Sequence, residues 1–359
     1  MKIARWPEAG EREIELLREV LESGRWGGFN DIVARFEREF AAFQQCQFAV
    51  SAMNGTVTLE MILEALGIGA GDEVIVPAIS FISTATAVSR AGALPVFVDI
   101  EWATFNIDPE RVARAITPRT RAIMAVHFGG PMADMDRLND FGIPLIEDAA
   151  HAHGSEWKGR RSGSIGVAGS FSFQNSKVMT AGEGGMITTA DPALAERVRA
   201  IGNQGRRKDR GWFEHYTLGT NYRMTALQAA VLQAQLERLP EQNGRRARNA
   251  AIVRAACPAI EWQFVPEAAQ IHTNYLLLGR IGNRGRFHEA VIAAGVPCTP
   301  FYPHTLYQNP LYRQGGCRVE PCPVSESAIQ DAFWFPHRVL LGTEEETNEI
   351  AAVIKEAAG

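Results

Sequence analysis

The chain has 359 residues, 46% of them hydrophobic and 21% charged, and a formal net charge of −5. That length exceeds one ordinary domain. The mild acidity and the lack of any basic run argue against nucleic acid as a partner. No apolar stretch reaches membrane-spanning length, and Met1-Lys2-Ile3-Ala4-Arg5-Trp6-Pro7 lacks the apolar core of a secretion signal. A cytoplasmic protein with no membrane partner is therefore expected. The five cysteines are scattered. Cys317 and Cys322 have no partners at zinc-ligand spacing, so free thiols are expected rather than disulfides.

Glu11 to Ser23 reads as a helix with Ile14, Leu17 and Leu21 on one face. After the break at Gly24-Arg25-Trp26-Gly27-Gly28, Ile32, Phe36, Phe40 and Phe43 recur at helical spacing. From residue 47 short apolar strands alternate with helices. The strands are Phe48 to Val50, Glu73 to Val76, Pro95 to Val98, Ala122 to Val126 and Pro144 to Ile146. Such alternation predicts a mostly parallel sheet covered on both faces, with the ligand at the carboxyl ends of the strands. Asn54-Gly55-Thr56, Phe81, His127 and Glu147-Asp148 fall on that rim. Helices are predicted over Pro192 to Ile201 and Met224 to Leu239. The long polar and aromatic loop between them, Asn203 to Arg223, is a functional candidate by its length. The pattern resets after Pro240, where a smaller α+β domain is predicted. Its last helix opens with Thr343 and Glu346 at capping-box spacing.

The most informative stretch is Ser170-Phe171-Ser172-Phe173-Gln174-Asn175-Ser176-Lys177, followed by Gly182-Glu183-Gly184-Gly185. A lysine at the end of an apolar, strand-like run is partly desolvated, which favours the neutral amine and attack on a carbonyl. The bland alternative is a surface lysine whose stem lies over a glycine turn. Asn54-Gly55-Thr56 joins a strand to a helix and suits an anion such as phosphate, although it also reads as an ordinary cap. Asp148 ends a strand, where a carboxylate can keep a pyridine nitrogen protonated. A metal held by Glu147, Asp148, His151 and His153 is a rival that needs a ligand from a further element, and none is on offer. Gly67-Ile68-Gly69-Ala70-Gly71 precedes a strand, the wrong order for a dinucleotide fingerprint. Together these signals meet the needs of pyridoxal 5'-phosphate: a phosphate anchor, a stacking ring, a carboxylate and an imine-forming amine.

The chain resembles the DegT/DnrJ/EryC1/StrS sugar aminotransferases, within the fold-type I pyridoxal phosphate enzymes. The resemblance rests on Asn54-Gly55-Thr56, Val74-Ile75-Val76-Pro77, Glu147 to Gly154, Ser172 to Lys177, Gly182 to Gly185 and Gly219-Thr220-Asn221-Tyr222-Arg223-Met224. It implies an α/β fold with a large cofactor domain, residues 1–240, and a small C-terminal domain, residues 241–359, with the N-terminal helix packing partly on the latter. It implies that Lys177 forms the imine and shuttles the proton, and that Asp148 pairs with the ring nitrogen. Phe81 would stack on the ring, and Gly55, Thr56 and Ser172 would hold the phosphate. His151, where many relatives carry Gln, would lie near the ring hydroxyl. Asn221 would reach the phosphate of the neighbouring subunit, so a homodimer with shared sites is implied. Trp26, Arg223 and His304 are weaker candidates for substrate contact.

The implied reaction moves an amino group from glutamate or glutamine to a ketone on a cyclic sugar or cyclitol, with ping-pong kinetics. The resemblance is strongest to keto-cyclitol aminotransferases and to 3-amino-5-hydroxybenzoate synthases. The latter, in which Gly stands in place of Ser176, would make the protein a dehydrating, aromatising enzyme with the same cofactor. A cofactor-binding regulator without turnover is the remaining alternative.

Overall fold

The computed structural model describes residues 2–359. Helix α1 (Glu11–Glu22) and helix α2 (Asp31–Phe43) lead into strand β1 (Phe48–Ala52). Then follow α3 (Gly55–Ala65), β2 (Glu73–Pro77), α4 (Ser83–Arg90), β3 (Leu94–Val98), α5 (Pro109–Ala115), β4 (Thr120–Val126), α6 (Met135–Asn139) and β5 (Leu145–Asp148). A short hairpin of β6 (Glu156–Trp157) and β7 (Arg160–Arg161) precedes β8 (Ala168–Ser172), β9 (Gly185–Thr189) and α7 (Pro192–Gly202). The long helix α8 (Ala226–Ala256) leads to β10 (Glu261–Trp262), β11 (Leu276–Arg280), α9 (Arg284–Ala293), β12 (Thr299–Pro300), α10 (Pro310–Arg313) and β13 (Arg318–Val319). The chain ends with α11 (Pro323–Asp331), β14 (Ala332–Pro336) and α12 (Glu344–Ala358).

The large sheet has the order β1-β9-β8-β5-β4-β2-β3-β13. Only β9 runs against the others, pairing antiparallel with both β1 and β8. Every residue of β2, β5 and β8 is buried, as expected of strands covered on both faces. Alternate residues serve opposite cores. Val74 and Val76 pack with Leu59, Ile62 and Val198 on one side, while Ile75 packs with Val112 and Leu138 on the other. The carboxyl ends of β1, β8, β5, β4, β2 and β3 share one rim. The second sheet, β10-β11-β14-β12, is antiparallel and packs on α8, α9 and α12.

Three sequence expectations change. Helix α8 runs through Pro240 to Ala256, although proline removes a ladder bond. Its buried residues continue across the proline, from Leu236 and Leu239 to Asn249, Ala250 and Val253, so packing on both sides outweighs the local cost. One rod therefore spans the two sheets, with its first half against α1 and α2 and its second against α12. Helix α1 buries Leu16, Val20 and Glu13, while Ile14 and Leu21 are about half exposed. The helix carries two apolar lines, and α8 takes the one that includes Glu13, whose carboxylate accepts from Gln235 and Arg238. Lastly, β13 comes from the second half of the chain yet extends the large sheet beside β3. The capping box of Thr343 and Glu346 is present, all five cysteines are free, and no described helix is long and apolar enough to cross a membrane.

Glu147 and Asp148 are consecutive on β5 and face opposite ways, as strand geometry requires. Glu147 is fully buried. Its carboxylate accepts from His127 Nε2 at 2.9 Å and from the N–H groups of Gly163, Ile165 and Gly166 at 2.7–2.8 Å. His127 is thus a structural partner rather than a rim group. Burial pushes the Glu147 carboxyl up, but His127 and the backbone donors outweigh it and hold it below its usual range. A carboxylate depressed in this way adds stability above its unfolded range near 4.5, which is lost as pH falls through the folded value. Glu147→Gln should cost about 2–4 kcal/mol at neutral pH. In thermal melts, the gap between the native protein and the variant should narrow at acid pH; an unchanged gap would contradict this role.

Candidate active site

The start of α3 is held by Asn54, whose Oδ1 accepts from Val57 N at 2.9 Å. The N–H groups of Gly55 and Thr56 fall outside the helical ladder. A side chain at position 55 would bring its Cβ to 2.7 Å from Ser172 Cβ, so glycine is what allows the helix end to meet the end of β8. Thr56 Oγ1 lies 2.7 Å from Ser83 Oγ, which joins the starts of α3 and α4. Gly55, Thr56, Ser83 and Ser172 thus form a cradle of donors at the rim. No sequence pattern singled out Ser83; a serine opening the helix after the second strand is the signal that could have.

Phe81 precedes α4 and is 60% exposed, free to offer a ring face. One turn on, Thr84 Oγ1 donates to Asp148 Oδ2 at 2.9 Å. Ser80 Oγ, 2.7 Å from Thr84 Oγ1, must donate in turn, because the single threonine proton is spent. Ala150 N reaches Asp148 Oδ1 at 3.3 Å. Burial pushes the Asp148 carboxyl above its usual range, against the pull of Thr84 and of the Lys177 charge. Asp148 therefore differs from its neighbour Glu147: it is buried and short of donors. A protonated ring nitrogen is the kind of partner such a carboxylate lacks.

His151 lies at the same rim, in the turn that follows β5. Its Nδ1 accepts from Gly129 N at 3.3 Å, which leaves the proton on Nε2. Burial, with the Lys177 charge adding to it, holds the imidazole well below 6.5 and hence neutral. Its ring packs on Tyr275 with centroids 4.4 Å apart. Lys177 is not at the strand end; it lies five residues beyond β8 in a turn closed by Lys177 N donating to Gln174 O, and it is half-buried. Its Nζ sits 4.7 Å from the centre of the Tyr275 ring. Tyr275, from the entry to the second sheet, was not singled out by sequence reasoning, since a lone tyrosine before a strand reads as core. His153 turns away from this group and packs between Phe171 and Phe173.

Gly55, Thr56, Phe81, Asp148, His151, Ser172 and Lys177 are thus gathered at the rim. Trp26, Asn221 and Arg223 form a separate surface group. Arg223 donates to Asn203 Oδ1 at 2.8 Å and lies over the Phe29 ring, Asn221 bridges to Asn203, and Trp26 O accepts from Ala226 N. His304 is exposed, on a loop tied to the rim by Leu306 N donating to Ala78 O.

A half-buried amine, a buried carboxylate and paired helix starts at the ends of parallel strands define an α/β enzyme of the aminotransferase class. The chain belongs to the DegT/DnrJ/EryC1/StrS aminotransferase family, whose model matches residues 7–355. It is 38% identical over 377 residues to 3-amino-5-hydroxybenzoate synthase of Amycolatopsis mediterranei, covering 98% of this chain and 96% of that protein. It is 37% identical over 385 residues to L-glutamine:2-deoxy-scyllo-inosose aminotransferase of Micromonospora echinospora, covering 96% and 92%. The crystal structure of a 3-amino-5-hydroxybenzoic acid synthase superposes with a TM-score of 0.94 at 37% identity, covering 99% and 98% of the two chains. The fold is that of the fold-type I transferases.

The Gly55–Ser172 contact gives a stability test. Gly55→Ala should force the α3 start off β8 and cost about 1–3 kcal/mol, measured by urea unfolding. Thr56→Ala, which loses one partly exposed hydroxyl contact, should cost about 1 kcal/mol or less. Equal losses would mean that the close approach is not limiting.

Proposed function

We propose that the protein is a pyridoxal phosphate-dependent aminotransferase that takes nitrogen from L-glutamine or L-glutamate and delivers it to a ketone on a cyclic polyol, a keto-cyclitol before a nucleotide-linked keto-sugar. The observation that carries this reading is the Lys177 amine, whose charge acts on the donor-poor carboxylate of Asp148, beside a glycine-lined helix start. When bound, pyridoxal phosphate supplies an electron sink for the bonds at the substrate carbon. Gly55, Thr56, Ser83 and Ser172 bind its phosphate, and Phe81 stacks on its ring. Asp148 holds a proton at the ring nitrogen, with Thr84 fixing the carboxylate. His151, kept neutral, offers its Nε2–H to the ring oxygen. Lys177 Nζ takes the proton from the donor carbon, and later supplies one during amination of the acceptor. One site serves both halves in turn.

The division at residue 240 fits this reading if the large sheet carries the cofactor and the second sheet closes over it. Trp26, Asn221 and Arg223 act on the site of a second subunit in a homodimer. Support comes from the exposed apolar groups of the loop that carries Asn221 and Arg223, Trp212 at 54%, Phe213 at 86% and Leu218 at 87%, more than a monomer normally leaves in one place. A second reading, a dehydrating and aromatising synthase, draws support from the synthase names among the relatives and structures.

Protein loaded with pyridoxal phosphate should show a near-visible absorbance band that shifts on adding L-glutamine. Lys177→Ala should abolish the native band, and Asp148→Asn should slow the donor half-reaction at least about a hundredfold. A protein that develops no band would sink the proposal. Release of water with a new aromatic absorbance from an amino-cyclohexene acid, without amino transfer to keto-cyclitols, would select the synthase instead.

Sharing of the site is tested by mixing subunits. Lys177→Ala and Asn221→Ala proteins, each weak alone, should regain part of the native rate when refolded together, because one hybrid site is intact. No recovery in demonstrated heterodimers would place Asn221 in its own subunit's site or in none.

A further inference from the structure

Tyr275 enters the rim from the second sheet and is 9% exposed. Its ring is flanked by His151, 4.4 Å between centroids, and by His337, 5.9 Å and nearly parallel. Lys177 Nζ lies 4.7 Å from the ring centre, within the range at which an ammonium is attracted to an aromatic face. The hydroxyl is as constrained as the ring. Ser176 Oγ spends its proton on Gln174 Oε1 at 2.8 Å. The 2.9 Å contact between Ser176 Oγ and Tyr275 OH must therefore have tyrosine as donor. Gln174 Oε1 also accepts from Ser176 N at 2.8 Å, and His337 Nε2 donates to Ser176 O at 3.1 Å. The residue before Lys177 is thus held through its N–H, its carbonyl and its hydroxyl, and two of these three ties lead to Tyr275 or its neighbour on the ring stack.

The ring stack is itself tied to the large sheet. Leu276 N donates to Gly129 O at 3.0 Å, and His337 N to Tyr275 O at 3.0 Å. Thr273 Oγ1 donates to His151 O at 2.5 Å. Gly130, at φ +127°, leaves room for this approach: a Cβ there would fall 2.5 Å from Thr273 Oγ1.

We propose that Tyr275 is the positioning residue for the Lys177 amine: its ring face carries the free ammonium, and its hydroxyl, through Ser176, locks the turn that presents it. The inference rests on the reading of Lys177 as the reactive amine. It gives the second sheet a part in the reaction: the amine is released onto a surface that the second sheet supplies.

The test is an NMR measurement on the full-length, cofactor-free protein after reductive ¹³C-methylation of its amines. The chain has five lysines, and Lys177→Arg assigns the signal. A methylated amine over a ring face is shifted upfield by the ring current. Lys177 should show that shift in the native protein and in Tyr275→Phe, and should move to the position of the exposed lysines in Tyr275→Leu. The donor half-reaction of the loaded protein should slow about tenfold in Tyr275→Leu and less in Tyr275→Phe. Replacing Tyr275 with phenylalanines of rising fluorine content keeps the shape and weakens the ring face, so the rate should fall stepwise even if the leucine variant does not fold. An unshifted Lys177 signal in the native protein would overturn the proposal, as would a fluorination series with a flat rate. A shifted signal in a protein that takes up no pyridoxal phosphate would overturn the aminotransferase reading and leave the Tyr275–Lys177 contact standing.

Discussion

The structure depends on how strand β5 disposes of two adjacent buried carboxylates. Glu147 has a full set of donors: His127 on β4 and three backbone N–H groups from the segment leading into β8. A buried charge so satisfied is fixed in place, and any loss of a partner is costly. That fixes where β8 enters the sheet, and hence where Ser172 and the turn carrying Lys177 leave it. Asp148, one residue on and facing the other way, has a hydroxyl and one long backbone contact. The same burial that makes Glu147 a clamp leaves Asp148 short of donors, because only one of the two is given its full set by the fold.

The second constraint is the junction of the two sheets. The Gly129-Gly130 turn after β4 admits the segment from Thr273 to Leu276, and neither glycine position has room for a side chain without moving Gln263 or Thr273. This close approach sets His151 against Tyr275 and Tyr275 against His337. It also brings the loop of Phe301 and Tyr302 against Phe128. Rigid aromatic contacts of this kind hold orientation at small entropic cost. Helix α8, unbroken at Pro240, carries the same coupling at the back of the molecule. Motion of the second sheet against the first would therefore be felt at the amine.

The parallel α/β core was legible because its strands are short, apolar and bounded by helix starts with visible caps; Asn54 and Thr343 cap where their side chains suggest. The rim positions of Asp148 and Ser172 were legible because they end apolar strands, and that of Gly55 because it opens the helix after one. What was hidden depended on tertiary choice. Helix α1 had two apolar lines, and only the partner α8, with Arg238 and Gln235 for Glu13, decided between them. Pro240 reads as a stop locally and is overruled by packing on both sides. Ser83 and Thr84 open α4, Tyr275 precedes β11, and none of them carries a motif; they meet only once the rim is assembled. Lys177 was expected at the strand end from its type and neighbourhood; its place in a turn beyond it follows from the Gln174–Ser176 hydrogen bonds.

The charge balance of the rim explains why so many rings surround a single amine. Three ionisable side chains, Lys177, His151 and His337, sit around Tyr275, and a fourth, Asp148, faces them. If both histidines were protonated, their charges would add to those of Lys177 and the buried Arg246 against one carboxylate. Burial prevents this: it holds His151 and His337 well below 6.5, and the Lys177 charge pushes each the same way. The hydrogen-bond pattern agrees, since His151 Nδ1 accepts from Gly129 N, while His337 Nε2 donates to a carbonyl and its Nδ1 has no partner. With both histidines neutral, the charges left around the ring are the Lys177 amine, the Asp148 carboxylate and the buried Arg246 guanidinium, which also bears on His337. On the proposed reading, the proton moved at a substrate carbon is then left to Lys177, because burial keeps the neighbouring rings from accepting it.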